Sequence, residues 1–242
     1  MISQAEIKFV KSLSQKKFRD QNGLFVVEGE KLVTEALRSS FQVKKVYHRD
    51  DIGEPAMARI SSLSSPSPVL ATVHIPESLS RAEIPARGLY LALDGIRDPG
   101  NLGTILRIAD WFGLDGVFAS PDTVDLFNPK VVQATMGAIF RVRFHYTEIP
   151  RLCREVLSRG GNVYGTFLDG ENFYGKTLSN GAEAPSVIVI GNEANGISKE
   201  TAACVSDRLF IPPYPADDPG SESLNAAVAT AVTVAEFRRR LL

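Results

Sequence analysis

The stretch LDGIRDPGNLGTILRIADWFG, Leu93–Gly113, joins the end of an apolar strand to a helix through a turn rich in Asp, Pro and Gly. A turn that served geometry alone would need only its Pro and Gly residues. It also holds Asn101 near the helix start and Arg107 on the helix, and free N–H groups at a helix start favour an anion. The stretch therefore indicates a strand–loop–helix unit with a candidate binding site. A capping Asn and a solvated Arg would give the same pattern.

From Leu89 onward, short apolar runs alternate with helical segments, which is typical of βαβ units and a parallel sheet covered on both faces. The predicted strands are LYLALDG, GVFAS, RVRFHYTE, NVYGTFLDG, SVIVIGNE and RLFIP. Ligands of such sheets lie off the carboxyl ends of the strands, where DPGN, LDGEN, GNEANG and PPYPADD gather polar residues. The first helix should face the sheet with an apolar stripe: Leu102, Ile105, Leu106, Ala109 and Gly113.

The N-terminal part of the chain reads as a smaller α/β unit. We predict a helix from Ala5 to about Ser14, a short basic loop, a strand LFVVEG, a helix EKLVTEALRS, and strands VKKVYHR and VLATVHI. SSLSSPSP is a loop by composition, and SLSRAEIPARG is interpreted as a linker. The predicted domains are therefore 1–85 and 88–242.

Composition excludes several classes of protein. The 44% hydrophobic and 23% charged content is ordinary for a globular chain, and no apolar run approaches the roughly 18 residues that cross a bilayer. The N-terminus MISQAEIKFVKSL lacks the layout of a signal peptide. We expect a cytoplasmic protein with no membrane partner. Cys153, Cys204 and the three histidines have no metal-ligand spacing, so we expect single thiols and no metal.

Basic residues concentrate near the N-terminus, although the net charge of the whole chain is −1. Residues 1–19 contain five basic side chains and one acidic one, Glu6. The pattern predicts either a site for RNA phosphates or a solvated helix face. The basic residues are Lys8, Lys11, Lys16, Lys17 and Arg19.

Two further segments carry polar residues at strand ends. In VIVIGNEANGIS, Gly191 and Gly196 bracket Glu193, which could accept hydrogen bonds from a ligand or an Arg, or cap the next helix. In IPPYPADDPGSESLNAAVATAV, Asn225 opens a long helix together with Ser221 and Ser223. That helix has a stripe of small and apolar residues suited to close packing within the domain or across a dimer: Leu224, Ala227, Val228, Ala231 and Ala235. FNPKVVQATMGAIF reads as a helix capped by Asn128.

GENFYGKT, Gly170–Thr177, matches the letters of a phosphate-binding loop. Such a loop must lead directly into a helix, whereas LSNGAEAP, which follows it, is turn and loop by composition. We therefore interpret the match as chance. There is also no GxGxxG after a strand and no GxSxG.

Taken in order, the segments resemble the SpoU-type (TrmH-like) RNA 2′-O-ribose methyltransferases of the SPOUT class. DGIRDPGNLGTILRIADWFG resembles the first motif of that family, VIVIGNEANGIS the second, and IPPYPADDPGSESLNAAVATAV the third. LSQKKFRDQNGLFVVEGEKLVTEAL is similar to its N-terminal RNA-binding extension, which resembles ribosomal α/β proteins. The resemblance implies a mostly parallel α/β sheet with a C-terminal trefoil knot, preceded by this small α/β domain.

The resemblance also implies S-adenosylmethionine as cofactor, a homodimer, and an RNA substrate, ribosomal rather than transfer RNA. It places the catalytic residues at Asn101, Arg107, Glu193 and Asn225. It places the cofactor contacts around Thr166, Gly191, Ile211 and Leu224. The basic cluster would bind RNA through Lys8, Lys16, Lys17 and Arg19.

Arg107 is a poor base because a guanidinium hardly deprotonates. We expect it to bind the RNA phosphate and hydroxyl and to stabilise the developing alkoxide, with Glu193 and Asn101 orienting Arg107 and its loop. The loop before SLN departs from the family pattern because it is longer and acidic, with Asp217, Asp218 and Glu222. The alternatives are a non-catalytic RNA-binding module that kept the fold and a nucleotide-binding enzyme that uses GENFYGKT.

Overall fold

The structure, a computed structural model, describes residues 2–77, 86–215 and 222–240. It divides into two compact units: Met1–Glu77 with Asp125–Arg141, and Ser78–Val124 with Val142–Leu242. Most of the predicted linker SLSRAEIPARG and most of the acidic loop at 216–222 lie outside the described residues. Within the described ranges, no helix is both long and apolar enough to cross a membrane.

The first unit contains a three-stranded antiparallel sheet in the order β1-β3-β2. Its elements are α1 (Gln4–Ser12), α2 (Lys16–Asn22), β1 (Leu24–Glu28), α3 (Glu30–Arg38), β2 (Val43–His48), α4 (Arg49–Ile52), α5 (Glu54–Ile60) and β3 (Val69–His74). The predicted short basic loop is in fact helix α2, which ends at Gly23 in the left-handed conformation. Although β1 is an edge strand of this sheet, it is buried along its whole length and forms part of this unit's core.

The segment Asp125–Arg141 groups with the first unit, although its sequence lies inside the predicted second domain. It contains α7 (Pro129–Thr135), which begins after the predicted cap Asn128. Aromatic rings join it to β1 and its surroundings: Phe25 packs on Phe127 with 4.6 Å between centroids, and Phe41 packs on Phe140 with 5.2 Å. Two ion pairs add to these contacts, Arg19 with Asp125 and Arg141 with Glu35.

The second unit is built on a six-stranded parallel sheet in the order β6-β5-β4-β8-β7-β9. Its elements are β4 (Leu89–Asp94), α6 (Pro99–Trp111), β5 (Gly116–Ala119), β6 (Phe144–Tyr146), α8 (Ile149–Ser158), β7 (Asn162–Asn172), β8 (Ser186–Gly191), α9 (Lys199–Ala202), β9 (Asp207–Phe210) and α10 (Ala226–Arg239). All six predicted strands are present, and the predicted mostly parallel α/β fold is confirmed. The trefoil knot remains a prediction because the path from β9 to α10 passes through 216–221, outside the described residues.

Helix α6 lies on the sheet as its pattern predicts. Leu102, Ile105, Leu106 and Ala109 are fully buried, whereas Gly113 lies beyond the helix end and is exposed. The outward side carries Thr104, Arg107 and Trp111, all exposed. The buried stripe fixes the helix against the sheet and leaves Arg107 facing away from it.

Helix α10 turns a different face inward from the one its sequence stripe suggests. Its buried side is formed by Ala227, Thr230, Thr233, Val234 and Phe237. The other members of the predicted stripe are exposed or only partly buried: Leu224, Val228, Ala231 and Ala235. The small residues therefore line an outward surface and not the core.

Candidate active site

The loop after β4 is closed by a helix cap. The Asp98 carboxylate accepts a hydrogen bond from the Asn101 amide at 2.7 Å, and Pro99 occupies the first turn of α6. Asn101 is therefore not the cap, which leaves its own side chain for other contacts. Only 9% of Asn101 is exposed, although it lies at the carboxyl edge of the sheet.

Glu193, directly after β8, holds this loop in place. Its carboxylate accepts hydrogen bonds from the amides of Arg97 (3.3 Å) and Asp98 (3.2 Å), and from Asn101 Nδ2 (2.9 Å). The neighbouring Asn192 donates from Nδ2 to the Gly95 carbonyl at 2.6 Å. Glu193 caps no helix among the described residues, since α9 is capped by Ser198. That its carboxylate accepts from a ligand or an Arg side chain stays a prediction.

Asn225 completes the arrangement from the start of α10. Its Nδ2 donates to Asn101 Oδ1 at 2.9 Å, and its Oδ1 accepts from the amides of Ala227 and Val228. The Asn101 side chain thus bridges a carboxylate and an amide on two other elements. We call Asn101, Glu193 and Asn225 the polar cluster. Three segments far apart in sequence meet in it, which a structural capping role does not require.

The charge state of Glu193 follows from its contacts. Burial raises the pKa of its carboxyl, but hydrogen bonds from Asn101 and from backbone amides, including those of Arg97 and Asp98, outweigh this and leave the pKa below its ordinary value. A carboxylate stabilised in this way is a weak base. Its geometry suits it to orient the loop and not to take a proton near neutral pH.

Arg107 lies six residues after Asn101 on α6, about 9 Å further along the helix axis. It is exposed. It makes no hydrogen bond or ion pair with any residue in the described ranges 2–77, 86–215 and 222–240. The prediction that Glu193 and Asn101 orient the loop agrees with their contacts. That they also orient Arg107 stays a prediction, because their hydrogen bonds in the described chain go to other residues.

The sequence reasoning missed a support behind the same loop. Ser120, at the end of β5, accepts from the Gly95 amide at 2.8 Å and donates to Asp122 at 2.6 Å. Asp122 in turn pairs with the Arg97 side chain at 3.3 Å. The only signal was a second polar strand end, SPD, after GVFA. Arg97 is mostly exposed and lies beside the polar cluster.

The four residues expected at the cofactor lie on or just after three neighbouring strands and directly before α10. Thr166, Gly191 and Ile211 lie on or just after β7, β8 and β9, and Leu224 directly precedes Asn225. Thr166 Oγ1 donates to the Val189 carbonyl at 3.4 Å. In the described chain, no loop or turn hydrogen bond uses the backbone of Ile211. The free main-chain groups of Ile211 suit a nitrogen-rich ring such as adenine, and the half-exposed side chain of Leu224 suits its flat face, so these residues fit S-adenosylmethionine.

Position 191 requires glycine because the backbone of Gly196 and Ile197 passes too close to leave room for a side chain. A Cβ built there would fall on the backbone of Gly196 and Ile197, closer than real Cβ atoms lie to other atoms. The loop that carries Glu193 folds back on the strand end through reciprocal hydrogen bonds between Asn192 and Gly196, both at 2.9 Å. The glycine therefore serves the loop's tight packing and through it the position of Glu193.

Gly191→Ala should displace this loop. We expect the free energy of unfolding to fall by about 2 kcal/mol and the affinity for S-adenosylmethionine to fall by about tenfold or more, measured by thermal denaturation and calorimetric titration. Gly175→Ala is the matched control, because its Cβ would meet nothing within 4 Å. Equal affinity in the two variants would contradict the assignment of Gly191 to the cofactor pocket.

The N-terminal basic residues are not equivalent. Lys8 and Lys17 are exposed, and Lys16 pairs with Asp20 at 2.7 Å on the surface. Arg19 is only 2% exposed; it donates to the carbonyls of Leu13 and Ser14 and to the Asp125 carboxylate. Its prediction as an RNA-binding residue is wrong, because its guanidinium is buried and committed to these partners.

GENFYGKT is not a phosphate-binding loop. The Lys176 ammonium pairs with Glu171 at 2.9 Å and with Asp207 at 3.3 Å. A single turn of 3₁₀ helix at Phe173–Gly175 is followed by loop and not by a helix. Lys176 and its surroundings therefore offer no helix start and no free cation to a phosphate.

Comparisons with known proteins cover both parts of the chain. A model of the SpoU rRNA Methylase family matches residues 88–235. A model of the MRM3-like substrate binding domain matches residues 4–83.

Two relatives and one solved structure are similar over nearly the whole chain. The 23S rRNA (guanosine(2553)-2′-O)-methyltransferase RlmP of Bacillus subtilis is 31% identical over 96% of each chain. The mitochondrial rRNA methyltransferase 3 of Xenopus tropicalis is 26% identical over 97% of this chain and 74% of its own length. The AdoMet-bound rRNA methyltransferase from Sinorhizobium meliloti superimposes with a TM-score of 0.87 at 30% identity, over 100% of this chain and 98% of that one.

Proposed function

The chain belongs to the SpoU rRNA methylase family, and from that premise we propose that it transfers a methyl group from S-adenosylmethionine to a ribose 2′-hydroxyl of ribosomal RNA. The observation that carries the proposal is the polar cluster, in which Asn101 joins Glu193 to Asn225 through two hydrogen bonds of 2.9 Å. The similar proteins named above include enzymes that modify rRNA and one structure that binds AdoMet.

When bound, S-adenosylmethionine supplies an electrophilic methyl group on its sulfonium. It would be held by Thr166 within β7, Gly191 at the end of β8, Ile211 just after β9 and Leu224 before α10. The chain must place the 2′-hydroxyl in line with that methyl group, and positioning of this kind contributes up to about 7–11 kcal/mol to a reaction.

We assign the substrate contact to Arg107. Its guanidinium is exposed and free of partners among the described residues, so its donors are available to an RNA phosphate and to the ribose oxygen. As the oxygen gains negative charge, a fixed cation beside it lowers the barrier. Neither Arg107 nor Glu193 is suited to accept the hydroxyl proton, so we assign it to solvent water, which takes the proton as the oxygen bonds to the methyl carbon and the carbon–sulfur bond breaks.

We propose that the protein is a homodimer joined through α6 and α10. The outward side of α6 exposes 86% of Trp111, and α10 exposes 49% of Val228 beside small residues. These two helices pack against each other, and we propose that a second copy covers the exposed apolar side chains Trp111 and Val228 while Arg107 stays accessible. Sedimentation velocity tests this proposal: we expect a dimer for the wild type and a monomer for Val228→Asp. A monomeric wild type would contradict it.

We propose that residues 1–85 form the RNA-binding domain and residues 88–242 the methyltransferase domain. The first of these ranges contains the match to a substrate binding domain. Within it, Lys8 and Lys17 have the exposed charges that phosphates require, while Lys16 is partly neutralised by Asp20.

Replacing both Lys8 and Lys17 with Gln should weaken RNA binding and reduce its salt dependence. Two lost phosphate contacts lower the slope of log affinity against log salt by about 1.5, measured by fluorescence anisotropy with an rRNA fragment. Lys199→Gln, on α9, removes one exposed charge from the second unit and serves as control. An unchanged slope in the double variant would place the RNA elsewhere.

Transfer of a labelled methyl group tests the function. The protein is incubated with labelled S-adenosylmethionine and separate rRNA and tRNA fractions from cells that lack its gene. We expect label in rRNA only. RNA binding without label would support the alternative, a non-catalytic RNA-binding module. An enzyme of ribosomal RNA in a bacterium would act in the cytoplasm, where we place this protein by analogy with the Bacillus relative.

A further inference from the structure

Helices α6 and α10 are tied together at both ends. Asn225, the cap of α10, bonds to Asn101 in the first turn of α6. Near the other end of α10, Arg238 donates from Nε to the Phe112 carbonyl at 2.9 Å and from Nη2 to the Gly113 carbonyl at 2.6 Å. The two helices pack on each other. Because one tie joins their starts and the other joins their ends, they run in the same direction. On α10 the two ties lie about 20 Å apart.

Parallel packing needs such ties because it brings like ends of the two helix dipoles together. The last carbonyls of α6 also have no partner within their own helix. Arg238 supplies a positive charge and two donors at that end, to Phe112, which caps α6, and to Gly113, the residue after it. At the opposite end, the carboxylate of Asp98 caps α6 and accepts from the Asn101 amide.

The other two arginines of the run RRR have different partners. Arg239, with a side chain 67% exposed, pairs with Glu236 at 2.7 Å. Arg240 pairs with the same Glu236 and also donates to carbonyls at Phe173, Tyr174 and Lys176. Glu236 is nearly buried. Arg238 is thus the member of the run that reaches α6.

We infer that Arg238 is a positioning residue for methyl transfer: it fixes the axial register of α10 against α6 and so keeps Asn225 on Asn101. The inference rests on the proposed function. Arg238 touches no reacting group and acts only through the polar cluster at the far end of the helix pair. A slip of α10 by a fraction of a turn would break the 2.9 Å bond between the two asparagines without unfolding either helix.

A double-mutant cycle tests the inference, with kcat, KM for rRNA and Tm measured for each variant. Arg238→Ala should lower kcat by about tenfold with KM changed less than about twofold, whereas Arg239→Ala should match wild type. Because Arg238 acts through Asn225, the variant Asn225→Ala/Arg238→Ala should be no slower than Asn225→Ala. The inference would be overturned if Arg238→Ala were as active as Arg239→Ala. It would also be overturned if the losses of kcat in the two single variants multiplied in the double variant.

A conservative pair keeps the test valid if Arg238→Ala does not fold. Arg238→Lys retains the charge but has a single donor nitrogen in place of the two that reach separate carbonyls, so its kcat should fall about threefold relative to Arg239→Lys at equal Tm. Equal kcat values would overturn the inference. An inactive wild type with any rRNA would instead contradict the proposed function, so the two failures are distinguishable.

Discussion

Arg107→Ala is expected to lower methyl transfer by at least about a thousandfold while leaving the affinity for S-adenosylmethionine within about twofold of wild type. The guanidinium is exposed and has no partner among the described residues, so its removal breaks no internal contact. The variant would lose stabilisation of the transition state and not affinity for the cofactor. Single-turnover transfer and calorimetric titration of the cofactor measure the two quantities separately.

Arg151→Ala is the matched control for that experiment. Arg151 is an exposed arginine of the same unit, on α8, and its removal should leave transfer unchanged. Arg107→Lys keeps the positive charge but not the planar fork of donors, and should recover only part of the rate. Loss of cofactor binding in Arg107→Ala would contradict the assignment of Arg107 to the ribose and phosphate.

Glu193→Gln is expected to lower transfer by about a hundredfold, because one side-chain oxygen would have to serve three donors: the amides of Arg97 and Asp98 and the side chain of Asn101. The new amide group would also face these donors with hydrogens of its own. The loop before α6 should loosen, and Asn101 should lose its fixed orientation between Glu193 and Asn225.

The pH dependence distinguishes an orienting carboxylate from a general base. The pKa of Glu193 is held below its ordinary value of 4.5, so the group is ionised throughout the neutral range. Its contribution is present above that pKa and is lost only as the pH falls through it. The ratio of wild-type to Glu193→Gln rates should therefore be constant between about pH 6 and 8. A ratio that rises tenfold per pH unit in that range would identify a base. Glu200→Gln, at an exposed position on α9, is the control.

The second unit was predictable because its signals are local. The parallel strands β4 and β8 read as continuous apolar runs, since helices cover both faces of the sheet. Polar residues directly after those strands had to meet at one edge, which places Asn101 near Glu193. The cap preference of Asn located Asn225 at the start of α10.

What the sequence could not provide were contacts between distant charged residues. Arg19 looks like any surface arginine of a basic segment, yet it is buried and pairs with Asp125, which lies 106 residues further along the chain. The face that α10 turns outward could not be predicted either, because both sides of that helix carry small or apolar residues. Arg238 lies in a run of identical residues whose three members have three different sets of partners.

The position of the methyl group on the product shows whether the protein methylates the ribose of its RNA substrate. Ribosomal RNA methylated by the protein is digested to nucleosides for mass spectrometry, and a second sample is hydrolysed in alkali, in which a 2′-O-methyl group protects the adjacent phosphodiester bond. We expect a 2′-O-methylated nucleoside and one newly protected bond, with neither formed by Arg107→Ala. A methyl group on a base, with no protected bond, would contradict the proposed function.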